Sequence, residues 1–417
     1  MKIQAPKGTR DLIPAESYKW QYIEKKIREL TALYNIREIR TPIFEHTELF
    51  LRGVGDTTDI VQKEMYTFDD RGGRSITLRP EGTAGAVRAF IEHGICDGPQ
   101  PTKMFYLAAP VFRYEKPQAG RLRQHHQFGI EIFGAKDASA DAEAILLAYT
   151  VLNTLGVHNL SLNLNSIGCP ECRPKYSEVL KQYYRDRRGD LCPTCLERLE
   201  RNPLRLLDCK EEKCQKIAQS APKMVDYLCT ECQQHFDALR GYLTDAGVEF
   251  KINPYIVRGL DYYTKTVFEV ISSEIGAQGT VCGGGRYDGL VGEIGGPEMC
   301  GIGFGMGMER LQLVMEAAGV KIPEPAALKV FLATMGEAAK REGFALMQKL
   351  REQGVSADMD HNARSLKAQM KYANKLGADY VAILGEDELA RGCCKLKDMK
   401  GSEESEVPLG KLAEKLR

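Results

Sequence analysis

The stretch VFRYEKPQAGRLRQHHQFGIEIF, residues 111–133, reads as two strands folding back on each other around KPQAG at 116–120. Pro117 has no amide hydrogen to give a strand ladder and Gly120 accepts turn geometry, so the chain is expected to reverse there. Strand side chains alternate between faces. In the second strand Leu122, Phe128, Ile130 and Ile132 form the apolar set. The other parity carries Arg121, Arg123, His125, Gln127 and Glu131, with Gly129 between them. Arg113 and Glu115 of the first strand are expected to join that polar face. An amphipathic hairpin wetting one face is the simplest reading. Yet like charges side by side on a sheet repel, and three arginines beside two carboxylates, an amide and an imidazole suit an anionic ligand of several parts.

Two glycine-rich segments lie further along. CGIGFGMGMERL, 300–311, sets Gly301, Gly303, Gly305 and Gly307 at alternate positions, with Ile302, Phe304, Met306 and Met308 between. One face is apolar and the other is bare backbone. Glycine weakens a strand, so such a row implies that something flat, such as an adenine ring, lies close against it, unless tight packing between sheet and helix explains it. Arg310 follows at the start of a helix, placed to meet phosphate. VCGGGRYDGLV, 281–291, lacks the Gly-Lys-Ser/Thr of a phosphate loop, and no Gly-x-Gly-x-x-Gly sits between a strand and a helix. A nucleotide would therefore bind on an antiparallel sheet. In TLRPEGTAGAVR, 77–88, Glu81 and Thr83 open a helix, where both are also favoured as local caps. IVRGLDYYTKTVFEV, 256–270, supplies Arg258, Tyr262 and Tyr263. On a regular strand the two tyrosines would face opposite ways, leaving one for a polar ligand.

The 417 residues suffice for two or three domains, and 43% hydrophobic with 27% charged residues is ordinary for a globular chain. Lys plus Arg and Asp plus Glu both number 57, which argues against coating nucleic acid by bulk charge but not against a local basic patch. The first residues lack a signal-peptide core and no stretch reaches membrane-spanning length, so a cytoplasmic location with no membrane partner is expected. The 13 cysteines are then read as metal ligands or buried thiols rather than disulfides.

Residues 17–34 repeat Trp20, Ile23, Ile27 and Leu30 at helical spacing. REIRTPIFEHTELF, 37–50, reads as a strand ending at Pro42 and then a helix start. From Met65 to Gly134 strands alternate with one helix at 82–94. A helix over 139–155 and a strand at 160–168 follow. Composition changes at Cys169: the segment 168–243 is polar, helical and cysteine-rich, and reads as an insertion into a catalytic domain spanning 1–325. After a Gly- and Pro-containing linker, 326–417 alternates strand and helix, implying a small α/β domain with a largely parallel sheet.

Eight cysteines lie in the insertion. Nineteen residues separate Cys169/Cys172 from Cys192/Cys195, inside a known zinc spacing, and Cys209, Cys214, Cys229 and Cys232 could make a second set. One or two structural zinc ions are expected. Spacing leaves open which pairs share an ion.

FRYEKPQAGRLRQHHQ (112–127), GIGFGMGMERL (301–311) and IREIRTPIFEHTELF (36–50) resemble the second, third and first defining motifs of class II aminoacyl-tRNA synthetases, and RGLDYYTKTVFE (258–269) is similar to a segment specific to the bacterial-type histidyl-tRNA synthetases. The resemblance covers the chain outside the cysteine-rich insertion. It implies an α+β fold: an antiparallel sheet flanked by helices, a helical insertion and a C-terminal anticodon-binding domain. It further implies a homodimer formed partly through the first motif. The expected reaction joins L-histidine and ATP into histidyl-adenylate and then passes histidine to the terminal ribose of tRNA(His).

Carried onto this sequence, Glu81, Gly82, Thr83 and Gln127 would hold the α-amino group. Glu131 and Tyr263, beside Tyr262, would read the two imidazole nitrogens, one a donor and one an acceptor in the neutral ring. Arg113 and Arg258 would grip the α-phosphate and the substrate carboxylate, and with Gln127 they make the catalytic set. Glu115 and Arg121 would contact ATP, Arg310 its outer phosphates, and Mg²⁺ would bridge the β- and γ-phosphates. At the adenine-stacking position the family usually has phenylalanine. Here it is His125, which stacks more weakly and carries a pH-dependent charge. The insertion, rich in Arg and Lys, is expected to touch the acceptor arm. The rival reading, a non-catalytic regulatory subunit of histidine biosynthesis, leaves the full arginine set and the C-terminal domain unexplained.

Overall fold

A computed structural model describes residues 3–55, 58–118, 120–401 and 403–417. They form two compact units divided between Ile322 and Pro323.

The larger unit is built on β1 (Arg37–Glu38), a small sheet of β2 (Phe44–His46), β3 (Tyr66–Asp69) and β4 (Ser75–Leu78), and then β5 (Thr102–Phe112), β6 (Gln124–Phe133), β7 (Leu160–Ser166), β8 (Phe250–Ile252), β9 (Thr264–Ser272), β10 (Thr280–Arg286) and β11 (Gly301–Gly307). The main sheet runs β1-β5-β6-β11-β10-β9-β7-β8. Its six central strands are antiparallel, and a parallel pair closes each edge. Alternation decides what each face meets. Phe128, Ile130 and Ile132 of β6, Ile302, Phe304 and Met306 of β11, and Phe268 and Val270 of β9 fall on one side. There they pack with Trp20, Ile23 and Ile27 of the helix Pro14–Leu33, with Ile145, Ala148 and Val151 of Ala138–Thr154, and with Leu311 and Met315 of Met308–Ala317. Asp137 opens the second of these helices, its carboxylate accepting the Ser139 amide at 2.8 Å. On the opposite face Met104, Phe133 and Val267 pack with Val87 and Phe90 of the helix Thr83–Glu92, and the rest of that face carries polar groups.

Two sequence expectations are corrected here. The 37–42 strand shrinks to Arg37–Glu38 on β5, and Phe44–His46 joins β4 in the small sheet instead. The hairpin of 111–133 is right in its pairing, but its strands end at Phe112 and begin at Gln124, so Arg113, Glu115, Arg121 and Arg123 lie in the connection and strand parity does not govern them. Ala119, in the expected 116–120 turn, lies outside the described residues.

Between β7 and β8 come the helices Cys172–Arg185, Pro193–Arg201, Glu212–Gln219 and Thr230–Asp245. They enclose a core of Tyr176, Leu180, Tyr184, Leu199 and Leu206 into which the cysteines pack. A buried Arg286 at the end of β10 ties this insertion to the sheet. It donates to Asp141 of the helix Ala138–Thr154, and Asp141 also accepts from His235 of Thr230–Asp245 at 3.2 Å. Burial opposes the Arg286 charge, yet Asp141 and Asp288 outweigh it and hold the guanidinium more basic than usual.

The smaller unit places β12 (Val330–Thr334), β13 (Ala357–Met359), β14 (Tyr380–Leu384), β15 (Cys393–Asp398) and β16 (Glu404–Pro408) in the order β13-β12-β14-β15-β16. The first three are mutually parallel and the last two antiparallel, so the sheet is mixed rather than largely parallel. Helices Glu337–Glu352 and Leu366–Lys375 contribute to separate hydrophobic clusters, through Met347 and Leu350 and through Ala373, while strand residues of alternate parity divide between the same two clusters. Cys393 and Cys394 are both buried. Among the described residues no helix is long and apolar enough to cross a membrane.

Candidate active site

On the polar face, three neighbouring strands set glycine at one level: Gly129 of β6 pairs with Gly305 of β11, and Gly305 with Gly283 of β10. One step along, Gly303 pairs with Gly285. Without Cβ atoms these positions form a trough, and larger groups lie in it. The Tyr106 ring covers Gly129 and also rests on Gly82; the Arg258 guanidinium covers Gly283; the Glu131 carboxylate covers Gly303; Tyr263 covers Gly285. A methyl group at any of these glycines would collide with what covers it. Around Gly305 the space is looser, the Gln127 amide lying 3.5 Å from where a Cβ would stand, and at Gly307 the nearest neighbour is Arg310 at 3.9 Å.

The alternate glycines of 301–307 are therefore divided. Tyr287 fills Gly301 and Glu131 fills Gly303, whereas Gly305 and Gly307 line an open cleft. Tight internal packing accounts for half the row and the ligand space for the other half.

That cleft, about 240 Å³, gathers Arg113, Arg121, Arg258 and Arg310 with Glu115, His125 and Gln127 over the backbone of 280–283. Each guanidinium is anchored. Arg113 Nε donates to the Pro80 carbonyl at 2.8 Å and Arg310 to the Thr280 carbonyl at 2.8 Å. Arg258 pairs with Glu269 at 2.5 Å, and Arg121 pairs with Glu115. Burial, then repulsion from Arg121, makes the Arg310 charge harder to hold than usual, so the cleft favours an anion that relieves it. Arg123 departs from its expected face: it donates to the Glu115 carbonyl at 3.1 Å and lies 4.1 Å over the Tyr114 ring.

His125 borders the cleft in a form different from the one expected. Burial first, and Arg113 second, push its pKa down to about 4, so the ring is neutral across the physiological range. Its Nδ1 is buried and has no well-formed hydrogen bond among the described residues.

Beside the cleft the sheet and the start of helix Thr83–Glu92 form a recess of hydroxyls and carboxyls. Glu81 accepts the amides of Thr83 and Ala84, both at 2.7 Å, so it does cap the helix, as its local chemistry suggests. Glu131 accepts from Tyr106 at 3.2 Å and from Tyr287, with Thr83 in reach of both carboxylates. Burial pushes the Glu131 carboxyl up to about 8 against those donors, and Glu81 adds to the shift. Burial raises Glu81 likewise. Tyr262 and Tyr263 precede β9 instead of lying in it, and both are buried, their ring centroids 4.7 Å apart. Because neither is in a strand, strand alternation does not decide which of the two meets a ligand.

Sequence reading missed Tyr106, Tyr287, Glu269 and Thr280. Tyr106 is visible only through register, since it stands opposite Gly129. Glu269 stands opposite Gly283, under the same guanidinium.

In the insertion the eight cysteines form two quartets: Cys169, Cys172, Cys229 and Cys232, and separately Cys192, Cys195, Cys209 and Cys214, the sulfurs of each set within 4.8 Å of one another. The spacing match between 169/172 and 192/195 does not describe a shared site.

Comparison with known proteins adds the following. The family described as histidyl-tRNA synthetase matches residues 8–172 and 192–311, and an anticodon binding domain matches 329–417. The match thus takes in most of the cysteine-rich insertion, which the motif resemblance alone had left aside. A histidine–tRNA ligase of Caldanaerobacter subterraneus is 57% identical over the full length of both chains, and one of Clostridium novyi 55% over 99% of this chain and 98% of its own. The crystal structure of apo Staphylococcus aureus histidyl-tRNA synthetase superposes with a TM-score of 0.84 at 39% identity, covering all of both chains. A Bacillus halodurans chain described as an ATP phosphoribosyltransferase regulatory subunit/histidyl-tRNA synthetase is 20% identical with a TM-score of 0.63, a likeness of fold alone.

Proposed function

We propose residue roles from one premise: the chain belongs to the histidyl-tRNA synthetase family, and it is an aminoacyl-tRNA synthetase that activates histidine with ATP and transfers it to tRNA. The observation that carries the assignment is the glycine trough, which brings four anchored guanidinium groups and a recess of hydroxyls and carboxyls onto one sheet face.

In this reading histidine occupies the recess. Glu131 and Tyr263, over neighbouring glycines, meet the two imidazole nitrogens. Glu81, Thr83 and Gln127, with Gly82 making room, hold the ammonium group. Two buried carboxyls suit a cation, because bringing one in lowers the cost of ionising both. The nucleophile needs no general base, since the histidine carboxylate is already an anion. It attacks the α-phosphorus, the bond to the bridging oxygen breaks, and pyrophosphate leaves. Arg113 and Arg258 offset the charge that accumulates on the pentacoordinate phosphorus, and their carbonyl and carboxylate anchors keep them in place beforehand. Glu115 and Arg121 contact the nucleotide, His125 lies against the adenine, and Arg310 meets the outer phosphates. Mg²⁺ supplies further charge neutralisation there when bound. The cleft suits an ion held mainly by phosphate oxygens, because Glu115 is already tied to Arg121.

Arg113→Ala and Arg258→Ala are each expected to lower kcat/KM in histidine-dependent ATP–pyrophosphate exchange by roughly 10²–10³, the usual scale for losing one preorganised donor. Exchange within threefold of the parent in either variant would remove that arginine from the transition state.

The chain acts as a homodimer through its first motif. Ile43, Phe44, Leu51 and Phe68 are exposed around the small sheet, an apolar patch that a second copy would cover. Its substrates and its tRNA agree with work in the cytoplasm.

A further inference from the structure

The two cysteine quartets have sulfur spacings that suit a tetrahedral metal centre. Cys169 Sγ lies 3.6 Å from Cys172 and 3.9 Å from Cys229, and Cys192 Sγ lies 3.8 Å from Cys209. Four thiolates around zinc at about 2.3 Å stand roughly 3.8 Å apart, whereas a disulfide brings two sulfurs to about 2.0 Å. Backbone amides also point at the sulfurs: Cys229 N donates to Cys172 at 3.1 Å, and Cys192 N to Cys214 at 3.4 Å. Such donors offset thiolate charge as a second layer around a metal.

The placement of the quartets suggests what they do. The first closes the insertion at its neck: Cys169 follows β7, and Cys229 and Cys232 open the helix that returns to β8. Arg173, next to Cys172, donates to the Tyr263 carbonyl. The second sits deeper. From its Cys192–Cys195 turn the helix Pro193–Arg201 leads to Asn202, which donates to Asp261 at 3.0 Å, and to Arg205, which donates to the Arg258 carbonyl at 3.0 Å. Three bonds from the insertion thus grip the segment 258–263, outside any strand, that carries Arg258, Tyr262 and Tyr263.

We propose that the insertion holds two zinc ions, one on Cys169, Cys172, Cys229 and Cys232 and one on Cys192, Cys195, Cys209 and Cys214, and that the two centres fix the 258–263 segment in its histidine-binding shape. Each ion displaces the thiol protons to solvent, and neither touches substrate. The second half of the proposal rests on the reading of 258–263 as the histidine-binding segment; the first half does not.

Metal content of the purified chain, measured by mass spectrometry, should be two zinc per chain. C169S/C229S and C192S/C209S should each keep one ion. C169S/C192S, which damages both quartets, should lose both. A cross-paired arrangement predicts the reverse, with C169S/C192S keeping one ion and C169S/C229S none. Should the serine variants fail to fold, the parent chain grown in cobalt should show the intense thiolate-to-cobalt absorption of two tetrahedral four-sulfur sites. No bound metal and no such absorption would overturn the proposal, as would iron in place of zinc. For the locking role, Asn202→Ala with Arg205→Ala should raise the histidine KM in exchange at least fivefold while the ATP KM stays within twofold. Equal shifts, or none, would overturn it. If Tyr263→Phe also leaves the histidine KM unchanged, the reading of the segment fails while the metal map stands.

Discussion

Glu131 shows how far a single residue's environment departs from what its type suggests. As a strand carboxylate it reads as an acceptor facing water or ligand; in the fold it is buried over Gly303 with its carboxyl pushed up to about 8. A folded-state value above the ordinary 4.5 means the folded chain holds a proton that the unfolded chain releases. The stability tied to that proton is complete below pH 4.5 and is lost as pH rises through 8. Glu131→Gln should remove this slope, so its melting temperature should rise relative to the parent's between pH 5 and pH 8.5, while histidine activation falls. A constant difference across that range would mean the carboxyl titrates normally. His125 gives the complementary case. Because its ring is neutral above about pH 4, the ATP KM should show no inflection between pH 6 and 8 attributable to it, and His125→Phe should leave that profile unchanged. An inflection near pH 6.5 that His125→Phe abolishes would contradict the low value. The arginines were legible in sequence because their type and crowding already imply an anion. Tyr106 and Tyr287 were not, since what makes them part of the site is which glycine each one covers.

At the scale of elements, the antiparallel hairpin and the glycine strands were legible from alternation, and the sheet order followed from them only once paired. The failures share a cause. Regular periodicity was extended through 113–123 and 258–263, where the chain leaves the strand to carry arginines and tyrosines over the trough. Cysteine spacing likewise reports neighbours along the chain, whereas the quartets join residues sixty apart, Cys169 with Cys229. The small sheet belongs here too. Phe44 of β2 and Phe68 of β3 are close to half exposed, at 53% and 49%, which is costly for phenylalanine unless a partner covers them. Phe44→Asp with Phe68→Asp should convert a dimer to a monomer by light scattering. A dimer unaffected by both changes would place the interface elsewhere.

For the whole molecule, equal numbers of acidic and basic residues conceal a strongly uneven distribution, with four guanidinium groups in one cleft. Net charge alone would not have suggested a nucleotide or a nucleic acid; the local sequence did. The division into two units also bears on the rival reading. A regulatory protein that binds histidine needs the recess but neither the anchored arginines nor a C-terminal unit matching an anticodon binding domain, and this chain has both. The most direct measurement is ATP–pyrophosphate exchange with each of the twenty amino acids in turn. The account predicts exchange with histidine alone, since Glu131 and Tyr263 together demand a ring with one donor and one acceptor. Histidine binding without exchange, or exchange driven by another amino acid, would contradict it.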